Sequence, residues 1–505
     1  MCLSPTNHNN APLTKLEMVL PDHSPVLIGI GTARRREENF KDALEPMDLM
    51  LEAVANAGRD SGSPTALSEA QYIAVPRGRW AYRNPAGEIA STIGADNATT
   101  VLASVGVLQQ TLIGEACTRI ARGEAHTTLV AGADAGFRIL RAKIAGRRAN
   151  EREQDSEPDI YLSPKEELRH PMEKRAGLVM PVGLYAVLES AFRAKQGWSV
   201  SDHRDRLAEL GARCSQIATA NPHAWTRDPI DAASIREPGD RNPMQAFPYT
   251  RAHCSTWNVD QAAALLFCSV ARAEELQISR DRWVFPVASS ESNHMVAVST
   301  RDDLASCPGA EIAGRAALDA AGLRAEQVDL VELYSCFPLA IETYAEALGL
   351  PLTRDLTVTG GMPFAGGPFN NYVLQATCRT AELLRQGKGK TALISSVSGI
   401  LTKQAFGLLS TEPGPNGFVH ADVSETVAAK IGERDVVEDY AGVAKIAGYT
   451  VLHGRGQTPR GLLLVDAPDG RRALVTTEHS AMLTSMETDE FVGRKVNVAN
   501  NGLTA

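Results

Sequence analysis

The chain has 505 residues, a net charge of −9 and a pI of about 5.8, with 44% hydrophobic and 22% charged residues. This length predicts two to four folding units rather than one core. The mild acidity without a long like-charge block argues against a nucleic-acid partner, and no apolar run is long enough to predict a membrane span.

The eight cysteines are scattered along the chain and form no CxxC pair. This spacing favours buried, reduced thiols in a cytoplasmic protein over a disulfide framework or a zinc site. The first 25 residues are polar and rich in Asn and Pro, so they do not have the pattern of a secretion signal. We therefore expect a cytoplasmic location and no bound metal.

Short apolar runs alternate with amphipathic segments through the first part of the chain. This alternation predicts parallel strands covered by helices on both faces. Gly123 suits the C-terminal cap of the second of these helices. The predicted strands are 26–31, 70–76, 99–104 and 127–134, and the predicted helices are 44–58 and 107–122.

The same order of elements returns later in the chain. "GEAHTTLVAGAD" and "GKGKTALISSVSG" match most clearly, because each runs from a helix end through a turn into an apolar strand. We interpret this as a duplicated α/β unit. The later strands are predicted at 283–288, 328–334 and 391–399, and the later helices at 311–322, 338–348 and 372–387.

The region between the two halves has a different composition, and so does the end of the chain. Amphipathic helices at 182–196 and 201–218 indicate an inserted subdomain, and a strand at 258–270 closes the first half. Turn residues at 411–424 precede four further strands, which predict a small all-β, OB-like domain. The expected units are a tail 1–24, a first half 25–270 with an insert at about 137–255, a second half 271–415, a linker 416–425 and a β domain 426–505.

Two motifs suggest a family. "VDLVELYSCFP" at 328–338 is an apolar strand with a polar tip, and "GGMPFAGGPFNNY" at 360–372 is a glycine-rich loop that opens a helix. In order and spacing they resemble the Asn-Glu-Ala-Phe (or His-Asp-Cys-Phe) and Gly-His-Pro motifs of thiolases. "NVDQAAALL" and "LTKQAFGLLS" add to the resemblance, which covers about 25–415 and is greatest to bacterial thiolase-like proteins of type 1 and sterol-carrier-type thiolases.

The resemblance implies the thiolase fold, an α/β architecture of two βαβαβαββ halves packed back to back in α-β-α-β-α layers, with a loop domain inserted in the first half. It also implies a coenzyme A thioester as the ligand and no covalently bound cofactor. Because relatives often work beside a partner subunit, a homodimer or a partner protein is expected to be possible, and a monomer is not excluded.

The residues that perform thiolase chemistry are mostly missing from their motif positions. The family uses a cysteine whose pKa can be lowered until the thiolate is abundant, a histidine that activates it, and a second cysteine. The first cysteine would fall near Val105, Gly106 or Val107, of which we take Gly106 as the nucleophile position, and Gly367 and Ser396 stand at the positions of the histidine and the second cysteine. The tip of the fourth motif reads Tyr334, Ser335 and Cys336, where Cys336 is interpreted as structural and Tyr334 as a possible donor to a carbonyl group.

The glycine-rich loop has two interpretations. Its backbone amides are able to line a thioester or an oxyanion, or the loop is a strained turn retained for packing. Six further residues are candidates for binding coenzyme A: Asn370, Asn371, His294, Arg138, Arg141 and Lys143. Each also has a purely structural interpretation. The asparagines are alternatively helix N-caps, the histidine part of a surface loop, and the basic residues part of a solvated helix face.

Other chemistries are disfavoured. Gly29 and Gly31 follow a strand, but the third glycine and the acidic residue of a dinucleotide site are absent. The later glycine loop lacks the lysine of a nucleotide phosphate loop. We expect an acyl-CoA acyltransferase-like protein without classical thiolase turnover, and two alternatives remain: a non-catalytic acyl-CoA-binding or partner subunit, and a thioester or aldol-type lyase working with a partner.

Overall fold

A computed structural model of the chain describes residues 21–167, 169–454, 456, 458–499 and 502–504. Most of the predicted tail 1–24, with Cys2, therefore lies outside the described residues. The described strands are β1 (Pro25–Arg35), β2 (Tyr72–Pro76), β3 (Thr99–Ala103), β4 (Thr127–Ala135), β5 (Ile160–Leu162), β6 (Met244–Ala246), β7 (Tyr249–Thr250), β8 (Asp260–Ser269), β9 (Phe285–Ser292), β10 (Leu330–Glu332), β11 (Thr391–Ser398), β12 (Lys403–Ser410), β13 (Val419–Asp422), β14 (Gly442–Leu452), β15 (Arg460–Asp466), β16 (Arg472–Thr477), β17 (Lys495–Ala499) and β18 (Gly502–Thr504).

Several helices begin with proline and end at a left-handed glycine, as local chain chemistry requires. Pro46 and Gly62 bound the first of them in this way. The described helices are α1 (Pro46–Ser61), α2 (Pro85–Ile93), α3 (Gln109–Ala121), α4 (Gly136–Ile144), α5 (Pro171–Arg175), α6 (Pro181–Gln196), α7 (Val200–Thr219), α8 (Ala232–Arg236), α9 (Val270–Glu275), α10 (Pro308–Ala320), α11 (Pro338–Leu348), α12 (Tyr372–Arg385), α13 (Ser424–Ala428) and α14 (Ser480–Thr488).

The first sheet has the strand order β1-β8-β4-β2-β3-β5. β4, β2, β3 and β5 are parallel, whereas β8 runs antiparallel to both of its neighbours. All nine side chains of β4 and all ten of β8 are buried, which explains their nearly continuous apolar sequences. These strands form the sheet of the first half.

The second sheet has the order β10-β11-β12-β9-β13. β10 and β11 are parallel, with Val331 opposite Leu393, so the predicted strands 328–334 and 391–399 lie in one sheet. β10 is shorter than predicted, because the backbone N–H of Leu333 turns to Leu356 O and that of Tyr334 turns to Ser395 Oγ. The strand tip is thereby bent out of the ladder.

Helices α3 and α12 lie between the two sheets and contact both of them. α1 and α2 cover the outer face of the first sheet, and α10 packs on the outer face of the second sheet and contacts α11. This gives the five layers of a duplicated α/β architecture, and the fold class predicted from the sequence is confirmed. The packing brings the start of α3 against the second sheet, which positions the site described below.

The third sheet contains a closed barrel of five strands, β14-β15-β16-β18-β17, because β14 pairs with both β15 and β17. Two strands of the inserted region, β6 and β7, extend this sheet through the pair Leu452–Ala246. The predicted C-terminal β domain thus shares a sheet with the insert. Among the described helices, none combines the length and the apolar character needed to cross a membrane.

Candidate functional site

Hydrogen bonds tie Tyr334 and Gly106 to β11, the strand that carries Ser396, at one end of the second sheet. The Tyr334 N–H donates to Ser395 Oγ at 2.8 Å, and Ser395 adjoins Ser396 in β11. Two residues further on, Ser398 Oγ donates to Gly106 O at 3.4 Å. The tips of two parallel strands therefore meet the segment that leads into α3.

The glycine-rich loop is attached to the same strand tip through residues 254–257. The N–H of Gly367 donates to Thr256 O at 2.9 Å, and the N–H of Thr256 donates to Met362 O at 3.0 Å. The N–H of Ser255 donates to Cys336 O at 3.1 Å. Gly367 is thus brought next to Cys336 through one shared segment.

Glycine is required at two of the motif positions. Gly106 has φ +104°, in the left-handed region, and a Cβ atom there would lie 2.9 Å from Pro164 Cγ. At Gly367 an added Cβ would overlap Ser255 Oγ. A cysteine at the first position and a histidine at the second are therefore both opposed by the local backbone and its neighbours.

The remaining motif side chains are buried or half-buried and do not ionise near neutral pH. Ser396 is buried, and its Oγ has no hydrogen-bond partner among the described residues. Burial raises the pKa of the Cys336 thiol to about 12 and also raises the pKa of the Tyr334 hydroxyl. Near neutral pH neither group supplies a thiolate or a phenolate.

The same cause acts on every thiol in the described part of the chain. Desolvation by burial raises the pKa of each one, so none has the exposed, electropositive surroundings of a reactive cysteine. These free thiols are Cys117, Cys214, Cys254, Cys268, Cys307, Cys336 and Cys378.

A buried carboxylate holds the strand tip to the glycine-rich loop. Glu332, at the end of β10, accepts hydrogen bonds from the N–H groups of Val358 and Thr359 at 2.7 and 2.9 Å. The hydroxyls of Thr357, Thr359 and Tyr372 donate to the same carboxylate. Thr357 Oγ1 in turn accepts from the N–H groups of the two glycines at 360 and 361.

One cationic side chain of this site was missed by the sequence analysis. Lys403 is the first residue of β12 and pairs with Ser398 in β11. Its Nζ donates to Gly106 O at 2.6 Å. Burial lowers the pKa of its amine, while Glu291 and Glu166 act in the opposite direction. In the sequence, Lys403 is only a single charge at the start of an apolar strand. Its place beside Gly106 follows from the register of β12 against β11, which the sequence does not show.

The asparagines predicted at the start of α12 do not cap that helix. Asn371 precedes Tyr372 without a side-chain cap bond, and neither of its side-chain polar atoms has a partner among the described residues. Asn370 Nδ2 is likewise buried and unpartnered. The N-cap interpretation is therefore wrong for Asn371, and both amides remain unpaired polar groups beside the glycine-rich loop.

His294 lies in the loop after β9 and is held next to Lys403. Thr402 Oγ1 donates to His294 O at 3.3 Å and accepts from the N–H of Val296 at 2.8 Å. His294 Nε2 is buried without a partner among the described residues. The histidine thus lies near the motif positions rather than in a remote surface loop.

Two of the three basic candidates in α4 donate hydrogen bonds to backbone carbonyl groups of neighbouring loops. Arg138 donates to Asn150 O at 2.7 Å, and Arg141 donates to Glu38 O at 2.9 Å. Lys143 is exposed. The two arginines therefore fix neighbouring loops.

A cleft of about 270 Å³ lies beside the segment that anchors Gly367. The Arg36 guanidinium stacks over the rings of Phe137 and Trp225, at 5.6 and 5.4 Å from their centroids. The cleft thus combines cations with aromatic faces, although none of the four motif residues lines it. Its lining consists of Arg36, Phe137, Leu140, Trp225, Gln245, Arg251, Cys254, Ser255, Thr256, Trp257 and Asn258.

A separate buried cluster joins the inserted region to α11. Glu189, His203 and Glu342 place one potential metal-ligand atom each within 4.8 Å of one another. His203 Nε2 lies 2.8 Å from Glu189 Oε1, and the Tyr249 hydroxyl donates to Oε2. Burial and the neighbouring Glu189 raise the pKa of Glu342 well above its ordinary value, so this carboxyl keeps its proton and shares it with Glu189.

Comparison with known proteins agrees with this fold. A monomeric SCP2-thiolase-like protein type 1 from Mycobacterium smegmatis has a TM-score of 0.79 and 27% identity, over 95% of this chain and 98% of its own. The Ltp2-ChsH2(DUF35) aldolase has a TM-score of 0.59 over 78% of this chain and 99% of its own, and at 15% identity it shows the fold alone.

No model of a protein family matches the sequence. An acetyl-CoA acetyltransferase from Methanocaldococcus jannaschii is 30% identical over 104 residues, which span 21% of this chain and about a quarter (26%) of that enzyme. Together with the structural match to the Mycobacterium smegmatis protein, this similarity supports a relationship to the thiolase superfamily.

Proposed function

Starting from this relationship to the thiolase superfamily, we propose that the chain binds acyl-CoA thioesters as an acyltransferase-like protein and lacks classical thiolase turnover. The observation that carries the proposal is the pair Gly106 and Gly367. Each stands where the family has a reactive side chain, and each is opposed to any side chain by its conformation or its neighbours. Desolvation raises the pKa of every described thiol, including the half-buried Cys254, Cys307 and Cys336, so little thiolate is expected elsewhere at neutral pH.

The cleft beside Gly367 supports the binding half of the proposal. Coenzyme A carries phosphates and an adenine ring, and Arg36, Arg251 and the aromatic residues of the cleft suit those groups. The volume suffices for part of such a ligand, so the rest of it would extend along the surface. A thioester end would then lie toward Ser255 and the glycine-rich loop.

The test measures binding and turnover separately. Acetoacetyl-CoA is titrated into the protein by calorimetry, and its cleavage in the presence of free coenzyme A is followed by the loss of its enolate absorbance. We expect saturable binding without thiolysis. Turnover at the rate of an ordinary thiolase would overturn the catalytic half of the proposal, and absence of binding would overturn the other half.

Two further points belong to the same proposal. The described cysteines are all free, which supports a cytoplasmic location. The non-catalytic alternative, a pure acyl-CoA-binding or partner subunit, predicts the same binding result. It differs in that no covalent step with the ligand takes place.

A further inference from the structure

Lys403 lies on a sheet face that carries several polar side chains. β11 and β12 are antiparallel, with Ser398 opposite Lys403 and Ser396 opposite Ala405, and Ala405 is in turn opposite Glu291 in β9. Because side chains alternate along a strand, Ser396, Ser398, Lys403 and Glu291 all project from one face. The contacts of Lys403 with Gly106 and of Glu291 with Thr111 identify this as the face toward α3.

The amine of Lys403 is buried without a counterion. The residue is 4% exposed, and among the described residues its Nζ has one hydrogen-bond acceptor, Gly106 O, and no ion pair with a carboxylate. Desolvation is the largest influence on the pKa of this amine and favours its neutral form, while Glu291 and Glu166 oppose it in part. A neutral amine retains the lone pair that attack on a carbonyl carbon requires.

The amine is also close to the protein surface. It contacts Gly106, whose neighbour Val105 is 49% exposed, and Pro164 lies on the other side of that glycine. A ligand would approach the amine from the side of this partly exposed segment.

We propose that Lys403 is a nucleophile that forms an imine with a ketone carbonyl of the acyl chain of the bound thioester. Nζ forms a bond to the carbonyl carbon, the carbon–oxygen bond breaks, and the oxygen leaves as water with the two protons of the amine. This inference rests on the proposed function, since it takes a keto-acyl thioester as the ligand.

The neighbouring side chains suit the two steps of this reaction. The unpartnered hydroxyl of Ser396 is available to donate to the carbonyl or carbinolamine oxygen. Loss of water needs an acid, and burial raises the pKa of Glu291, which favours its protonated form. The imine withdraws electrons from the adjacent carbon, as bond making or breaking beside a ketone requires. Attack on the thioester itself would leave a stable amide instead, so a ketone is the better substrate class.

The first experiment traps the imine in the full-length protein. Acetoacetyl-CoA is added with sodium cyanoborohydride, and the intact mass and peptide map are measured. We expect an adduct on Lys403 with the mass of the ketone less one oxygen, absent from Lys403→Met and Lys403→Arg and unchanged in Lys143→Arg, which alters an exposed lysine. Binding by calorimetry without an adduct on Lys403 overturns this inference and leaves the proposed function standing, whereas absent binding overturns the proposed function.

The second experiment examines the amine without any thioester. Reductive methylation with ¹³C-formaldehyde labels lysines, and the NMR shift of the labelled Lys403 follows its titration. We expect the pKa of the Lys403 amine to lie below the ordinary range of a lysine, because burial disfavours its charged form. An ordinary titration, or labelling of Lys403 only after unfolding, would contradict a nucleophilic role, and the wild-type protein alone suffices for this result.

Discussion

The hydroxyl of Tyr372, at the start of α12, donates a hydrogen bond of 2.5 Å to Oε1 of Glu332, at the end of β10. Both side chains are almost fully buried. This contact ties the strand tip of the second half to the helix that follows the glycine-rich loop. It is the centre of the network that keeps the motif segments together.

Removal of this network should destabilise the protein. In the wild type, N–H and O–H groups donate to the Glu332 carboxylate, whereas the Glu332→Gln side chain would turn an amide N–H toward some of them. We therefore expect this variant to lose roughly 2–3 kcal/mol of unfolding free energy. Tyr372→Phe removes one of these hydrogen bonds and should cost about 1 kcal/mol. Thermal unfolding measures both changes. Glu326→Gln alters an exposed carboxylate and should leave the midpoint unchanged. Equal midpoints for the Glu332 and Glu326 variants would refute the role assigned to Glu332.

Restoring the family's reactive residues should not restore thiolase activity. The triple variant Gly106→Cys, Gly367→His, Ser396→Cys places side chains at a left-handed backbone position and against Ser255, so strain of ~1–3 kcal/mol is expected at Gly106 alone. Ser396→Cys by itself should keep the wild-type melting temperature. Acetoacetyl-CoA thiolysis is the readout, and efficient turnover by the folded triple variant would show that the two glycines are not the barrier.

The arginines of the cleft should govern the affinity for coenzyme A esters. We expect Arg36→Ala and Arg251→Ala each to weaken acetoacetyl-CoA binding by about tenfold, because each removes a charged donor from the cleft. The loss should shrink as salt is added. Arg122→Ala, at an exposed site on the far end of α3, is the control and should bind as the wild type does. Binding that is indifferent to Arg36 and Arg251 would exclude this cleft.

A buried histidine should make stability depend on pH. Burial lowers the pKa of His253 to about 4, with Arg204 and His203 acting in the same direction and Glu189 opposing them. The folded state thus binds fewer protons than the unfolded state between pH 6.5 and 4. The stabilisation is complete above pH 6.5 and decreases by about 3 kcal/mol as the pH falls to 4.

The measurement is the melting temperature from pH 7.5 to 4.5. His253→Gln should give a flatter profile than the wild type, since the titrating group is gone. His479→Gln, which changes an exposed histidine, should reproduce the wild-type profile. A His253 variant that loses stability on acidification as steeply as the wild type would assign the dependence to other groups.

One edge of the first sheet, formed by β5, is poorly suited to pair with a second chain, so we expect a monomer. β3 is covered on its outer side by β5, whose Ile160–Leu162 segment pairs with Val101–Ala103 in parallel. The new edge is three residues long, too short to recruit a second sheet. Light scattering after gel filtration should give the mass of one chain, and Leu162→Pro should leave that mass unchanged. A stable dimer at micromolar concentration would contradict this expectation.

Much of the fold was predictable because its signals are local. β4 and β11 contain apolar runs at 129–131 and 392–394 because these segments are buried, and the helix before β4 is followed by Gly123, whose left-handed backbone suits a helix end. Sequence periodicity and motif spacing therefore predicted the duplicated sheets. They did not predict that β6 and β7 of the insert join the C-terminal barrel, because that pairing links segments about two hundred residues apart.

The candidate site was likewise predictable from the sequence only in part. The residue types at positions 106, 334, 367 and 396 are read directly from the chain, and with them the absence of the family's cysteine and histidine there. Only the tertiary structure shows that Gly106 and Gly367 resist side chains, and that Lys403 lies against Gly106 on the face that carries Ser396. Local sequence determines which strands and turns form. Strand register and the packing of α3 against the second sheet determine which side chains meet, because those contacts join residues that are distant in the chain.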